Sequence, residues 1–169
     1  MYLKKKPLII SLIVLVAIVS VSWSFHKKSD GDIKSKLGNV LGYSLDKIYE
    51  QYNSMKGYGD NLDDIKIQEI YNKLYSIQSY STAVDKGVGV GLLTPIANLM
   101  FDDFQTIASS YKKTGALTDS DREKFKKFVN ESVEISLLVT DVYFIKGSEG
   151  KPKLKISRYD SLVKFRQSH

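Results

Sequence analysis

The sequence predicts an all-α protein: one N-terminal transmembrane helix followed by an up-down bundle of about four amphipathic helices, closed by a small C-terminal hairpin or short helix. Three observations predict it. Residues 7–25, PLIISLIVLVAIVSVSWSF, carry no charge. Between residues 33 and 145, apolar side chains recur at three- and four-residue steps in four stretches. Short breaks, most of them marked by glycine, separate those stretches. The expected organisation is an anchor region at 1–28, a bundle at 29–146 and a basic C-terminal segment at 147–169.

As a helix, the uncharged run reaches about 28 Å, close to the thickness of a bilayer's hydrocarbon core. Lys4, Lys5 and Lys6 precede it, and His26, Lys27 and Lys28 follow, with Asp30 and Asp32 close behind. Basic residues are retained on the cytoplasmic side and acids count for little, so the N-terminus is expected inside and the rest outside. The competing reading is a cleaved signal peptide. Ser20-Val21-Ser22 and Ser22-Trp23-Ser24 offer small residues for cleavage near residues 22–24, which would release a secreted protein. The length of the run and Trp23 at its outer end favour the retained anchor.

The formal charge of +6 is made at the ends. Residues 1–28 carry five lysines and no acid, residues 29–145 carry 13 basic and 17 acidic side chains, and residues 146–169 carry seven basic and two acidic. A mildly acidic body argues against nucleic acid, and the basic anchor flank suits phospholipid. The chain has no cysteine, which removes disulfides, thiol catalysis and Cys-ligated metals from this sequence. Its two histidines, His26 and His169, are poorly placed for a catalytic base or a metal site. No cofactor is expected.

The first bundle helix is expected from Ile33, with Leu37, Val40, Leu41, Leu45, Ile48, Tyr49, Tyr52 and Met55 on one face and Gly57-Tyr58-Gly59 at its end. The second opens at Asp60 or Asn61, with Asp63 and Asp64 in its first turn. Its stripe is Leu62, Ile65, Ile67, Ile70, Tyr71, Leu74, Ile77, Ser81 and Val84, fading at Asp85. Lys86–Leu93, with Gly87, Gly89 and Gly91, reads as an apolar connection that packs closely under a neighbouring helix or touches the membrane surface. It lacks the spacing of a dinucleotide fingerprint and the Gly-Lys-Ser/Thr of a phosphate loop. Thr94 is the expected cap of the third helix, with Pro95 in its first position. Its stripe runs Ile96, Ala97, Met100, Phe101, Phe104, Ile107, Ala108 and Tyr111, and Lys112, Lys113 and Gly115 end it. Thr118 and Asp121 form a capping-box-like start for the fourth, whose stripe is Phe125, Phe128, Val129, Ser132, Ile135, Ser136, Val139, Val142 and Tyr143. Residues 142–146 and 153–157 are β-prone and flank a Gly/Pro break, the basis of the hairpin. Ser157 and Asp160 could instead start a short helix through Gln167.

Motifs that carry chemistry are thin. Asp119-x-Asp121-x-Glu123 begins like a calcium loop, but Lys124 stands at the sixth position and Asn130 at the twelfth. Asp63/Asp64 and Asp102/Asp103 are adjacent on helices and diverge by about 100°, so neither forms a dyad. Glu131 and Glu134 share a face without the histidine that a di-metal bundle uses. The Asn130-Glu131-Ser132 sequon falls mid-helix.

Eleven tyrosines stand out. Amphipathic rings that fill a bundle explain most of them. A partner or ligand surface would draw on Tyr49, Tyr52, Tyr71, Tyr75 and Tyr111, because tyrosine is enriched at interfaces. Contacts to an anionic lipid or wall polymer would draw on Lys151, Lys153, Lys155 and Arg158. The expected function is a non-enzymatic, membrane-anchored extracytoplasmic module that binds a protein or envelope partner. A small-molecule or lipid-binding bundle is the alternative, and a carboxylate-based hydrolase ranks last.

Overall fold

A computed structural model describes residues 35–59, 62–143 and 160–168, all of them helix or short connection. The chain divides into two compact units, Met1–Leu37 and Gly38–His169. Of the first unit, residues 35–37 are described; they are helical and exposed. The expected membrane span at 7–25 and most of the expected hairpin lie outside the described residues. Among the described residues, no helix is long and apolar enough to cross a membrane.

Helix α1 runs through residues 35–54 and tightens into a 3-10 turn, Met55–Tyr58. Then follow α2, Asp64–Val88; α3, Leu93–Thr114; α4, Asp119–Tyr143; and α5, Asp160–Gln167. Side-chain pairs set an antiparallel order from α1 to α4. Tyr58 Oη donates to Glu69 of α2 at 3.3 Å, while Leu41, near the other end of α1, packs against Gly87. Across α2 and α3, Tyr71 meets Phe104, Tyr75 meets Phe101, and Gln78 meets Asn98. Across α3 and α4, Phe104 meets Phe128 and Ser110 meets Asp121. Thus one end of the bundle gathers the start of α1, the α2–α3 loop and the end of α4. The expected up-down bundle is present, and α5 packs on α3 and α4 through Leu162 and Phe165.

The core follows the 3.6-residue period. Leu41, Leu45, Ile48 and Tyr52 of α1 join Ile70, Leu74, Ile77 and Val84 of α2, Met100, Phe104 and Ala108 of α3, and Phe125, Ile135, Val139 and Val142 of α4. Phe104 sits at its aromatic centre, 5.1 Å from Tyr71 and 5.2 Å from Phe128 between ring centroids. Buried hydroxyls return to their own helices: Ser44 donates to the Val40 carbonyl at 2.9 Å and Ser132 to that of Phe128 at 2.9 Å.

Several sequence expectations shift. Leu37 and Val40 continue the apolar stripe of the sequence but are exposed, because the stripe outruns the helices available to cover it at the start of α1; Ile65 is exposed because it falls on the face of α2 opposite Ile67 and Leu74. Asp63 caps α2: its Oδ1 accepts the Lys66 N–H at 2.7 Å, and Leu62 and Ile67, at the positions of a hydrophobic staple, are both buried. α2 does not fade at Asp85 but continues to Val88, and Gly89 closes it in the left-handed region at φ 77°. Gly87 is therefore helical, and a Cβ there would lie 2.6 Å from Leu41 Cδ2, so glycine permits the close approach of α1 and α2. Val142 and Tyr143, which the sequence offers both to the stripe of the fourth helix and to a β-prone stretch, form the last turn of α4, where their burial in the core overrides β propensity.

The start of α3 also differs. The helix begins at Leu93, and Thr94 is not its cap. Asp85 of α2 reaches across the loop instead. Its Oδ1 accepts the N–H groups of Leu92 and Leu93, each at 3.1 Å, and its Oδ2 accepts that of Thr94 at 2.7 Å. A carboxylate satisfies several orphan donors and meets the positive end of the helix dipole, which one Thr hydroxyl cannot match. At the other end of α3 the expectation stands: Gly115 donates to the Tyr111 carbonyl at 2.8 Å, and Lys112 and Lys113 occupy the last turn.

Candidate functional site

The side chains with most to offer a partner lie where α2 and α3 run side by side. Tyr71 and Tyr75 are one turn apart on α2, so helical geometry stacks them, with ring centroids 6.3 Å apart and planes inclined by 28°. Phe101 approaches from α3, 5.7 Å from Tyr71 and 5.1 Å from Tyr75. Beneath them Tyr71 rests edge-on against buried Phe104. Tyr75 is 57 % exposed, while Tyr71 and Phe101 are half-buried. The result is an aromatic platform with a rigid base and an open top. Its neighbours are amides: Gln68 donates to Asn72 at 3.1 Å, and Gln78 to Asn98 at 3.0 Å. Burial, and secondarily the neighbouring Tyr75, raise the Tyr71 hydroxyl above the ordinary tyrosine value, so it stays protonated at neutral pH.

The other expected tyrosines fall elsewhere. Tyr52 is 1 % exposed and presents no surface; burial raises its hydroxyl, which has no hydrogen-bond partner among the described residues. Tyr49 and Tyr111 are half-buried on α1 and α3, and neither shares a ring contact with the Tyr71–Tyr75 pair among the described residues. Lys151, Lys153, Lys155 and Arg158 lie outside the described residues. Phe101 is the member that sequence reasoning missed. The periodicity puts it on the core stripe of α3, and its step from Met100 onto the rim beside Asp102 is the signal that could have found it.

A second feature is a polar groove of about 490 Å³ between α3 and α4, lined by Thr106, Ser109, Ser110, Lys113, Asp121 and Lys124 among others. A smaller hollow of about 250 Å³ shares Thr106 and Lys124 with it and adds Asp103, Lys127, Phe128 and Glu131. The buried acids of the groove and the hollow are engaged. Asp121 Oδ2 accepts from Ser110 at 2.8 Å and from Thr118 at 2.6 Å, and these bonds hold its carboxyl below the usual range. Glu131 is buried and pairs with Lys127 at 3.3 Å. Asp119, Asp121 and Glu123 belong to the first turns of α4, which leaves no calcium-type loop there. Asp64, Asp102 and Asp103 lie on exposed helix faces, and Asp63 is the exposed cap of α2. Among the described residues, no cluster of three His, Cys, Asp or Glu side chains is arranged for a metal.

Comparison of the chain with protein-family models, with curated proteins and with solved structures returned no match.

Proposed function

We propose that the chain is a non-enzymatic, membrane-anchored extracytoplasmic interaction module, and that its helical bundle binds a protein partner through the α2–α3 platform of Tyr71, Tyr75 and Phe101. The observation that carries this reading is the exposed ring of Tyr75 stacked on a supported aromatic base. Rigid amphipathic rings that lose little entropy on contact are the usual anchors of protein interfaces. The amides beside the rings offer hydrogen bonds at little desolvation cost, which suits a partner patch of apolar and uncharged polar groups. Residues 7–25 supply the anchor, with Lys4–Lys6 inside and the bundle outside. A binding role also accords with Asp85 and Asp121, the buried aspartates among the described residues: backbone N–H groups at the start of α3 occupy the first, and the hydroxyls of Thr118 and Ser110 occupy the second.

A photo-crosslinking amino acid at position 75, in full-length protein in the producing cells, tests this reading. A discrete adduct is expected at position 75 and not at exposed Glu123 of α4, and Phe101→Ala should weaken it. Equal labelling at both positions, or none at position 75, would sink it. Sequencing the N-terminus of the same sample distinguishes a retained anchor, starting at Met1, from a product cleaved near residues 22–24.

The alternative, a bundle that binds a small polar molecule, has one observation in its favour: the α3–α4 groove and its hydroxyl and lysine lining. Lys124→Ala should then abolish ligand retention in native mass spectrometry, while Tyr75→Ala leaves it unchanged.

A further inference from the structure

The apolar stripe of α1 does not stop where the core stops. Leu41 is buried, but Val40 is 57 % exposed and Leu37 is exposed as well. At the same end of the bundle the α2–α3 loop holds Val90 between Gly89 and Gly91, and Val90 is 40 % exposed. A loop tip of glycine and valine is unusual, since exposed turns favour polar residues. Among the described residues, the charged groups at this end are Lys36, exposed one turn before Val40, and three others. Asp85 is buried and bonded to three backbone N–H groups of the start of α3, Lys86 is exposed beside the loop, and Asp141 lies on the exposed side of the last turn of α4.

We infer that this end of the bundle, through Val90 and Val40, rests on the lipid surface of the membrane that holds the chain. The inference rests on the anchor reading above. The occupant follows from where the chain enters. The second compact unit begins at Gly38, at this end, and 12 residues separate it from the end of the uncharged run at Phe25. This is the end of the bundle nearest in sequence to the uncharged run. Valines enter the acyl boundary favourably, and Lys86 suits anionic headgroups.

The absence of cysteine makes the test clean, because one introduced cysteine is labelled alone. Full-length Val90→Cys protein, labelled with an environment-sensitive fluorophore, is reconstituted into phosphatidylcholine–phosphatidylglycerol vesicles. Ala116→Cys, exposed in the α3–α4 loop at the opposite end, is the reference. Val40→Cys is a second reporter should Val90→Cys fold poorly. The expected result is blue-shifted emission, several-fold weaker quenching by aqueous iodide, and quenching by spin-labelled lipid at positions 90 and 40, but not at 116. Flotation with the vesicles but aqueous emission at 90 and 40 overturns this inference and leaves the anchor standing. Protection from iodide without quenching by labelled lipid also overturns it, and assigns the end to a second copy or a protein partner. Failure to float overturns the anchor reading together with this one.

Discussion

Asp85 and Thr94 are nine residues apart, on different helices, and joined by a 2.7 Å hydrogen bond from the Thr94 N–H to the Asp85 carboxylate. With the bonds from Leu92 and Leu93, one buried side chain closes the N-terminus of α3 from the C-terminal turn of α2. Asp85→Ala leaves these donors unsatisfied in a largely buried place and is expected to cost about 3 kcal/mol. Asp85→Asn keeps one acceptor oxygen but turns an amide N–H₂ toward other donors, and should cost about 1–2 kcal/mol. Urea denaturation followed by circular dichroism checks both. A loss below about 0.5 kcal/mol for the alanine variant would mean that the α2–α3 junction is held by packing alone.

Gly87 and Leu41 set how closely α1 approaches α2. A methyl group at position 87 meets Leu41 Cδ2 at 2.6 Å inside a packed core, so Leu41 must leave its rotamer. Alanine would also gain about 1 kcal/mol of helix propensity. Overpacking is expected to win, with a net loss of about 1 kcal/mol for Gly87→Ala. In a Leu41→Ala background the same substitution should stabilise, because the space is then open. A double-mutant cycle reads this coupling; additive effects would show that the two helices part without strain.

Most helix faces were legible in the sequence because burial and period agree there. Phe125, Phe128, Ser132, Ile135, Ser136, Val139, Val142 and Tyr143 were expected on one face of α4 and are all buried. Legibility failed where the answer depends on a second element. Thr94-Pro95 is a good local start signal, yet a charged acceptor brought in by α2 displaced it. Leu37 and Val40 continue a stripe correctly, but nothing local says where the neighbouring helices end. The candidate platform was half-legible for the same reason. Tyr71 and Tyr75 are related by one turn of one helix, whereas Phe101 joins them only through the register of α2 against α3.

Tyr52 offers a test of polar burial. Its ring fills the core at 1 % exposure, and its hydroxyl has no hydrogen-bond partner among the described residues. Removing an unsatisfied buried hydroxyl at nearly constant shape is expected to be neutral or stabilising, by about 1 kcal/mol. Tyr143→Phe should behave alike, since burial first, and the charge of Asp85 second, already raise that hydroxyl far above the ordinary tyrosine value. Thermal unfolding of the two variants decides the matter. A clear drop in Tm for either would reveal a hydrogen bond made by that hydroxyl and would assign it a structural or ligand-holding role.

Acid sensitivity should pass in part through Asp121. The Thr118 hydroxyl, then the Ser110 hydroxyl, favour its ionised form and lower its pKa in the folded protein. Because the folded value lies below the unfolded one, folding is favoured while the group is ionised. That contribution is complete above the unfolded Asp value of about 3.9 and is lost as pH falls through the folded value. Wild-type protein should therefore lose stability between about pH 5 and pH 3 more steeply than Asp121→Asn, in which this side chain no longer titrates. Ser110→Ala, which removes one of the two hydroxyl donors, should fall between them. Urea midpoints across that range make the comparison directly, since the other carboxylates contribute equally to all three proteins. Parallel acid limbs would show that Asp121 ties α3 to α4 without ionising differently in the folded and unfolded chains.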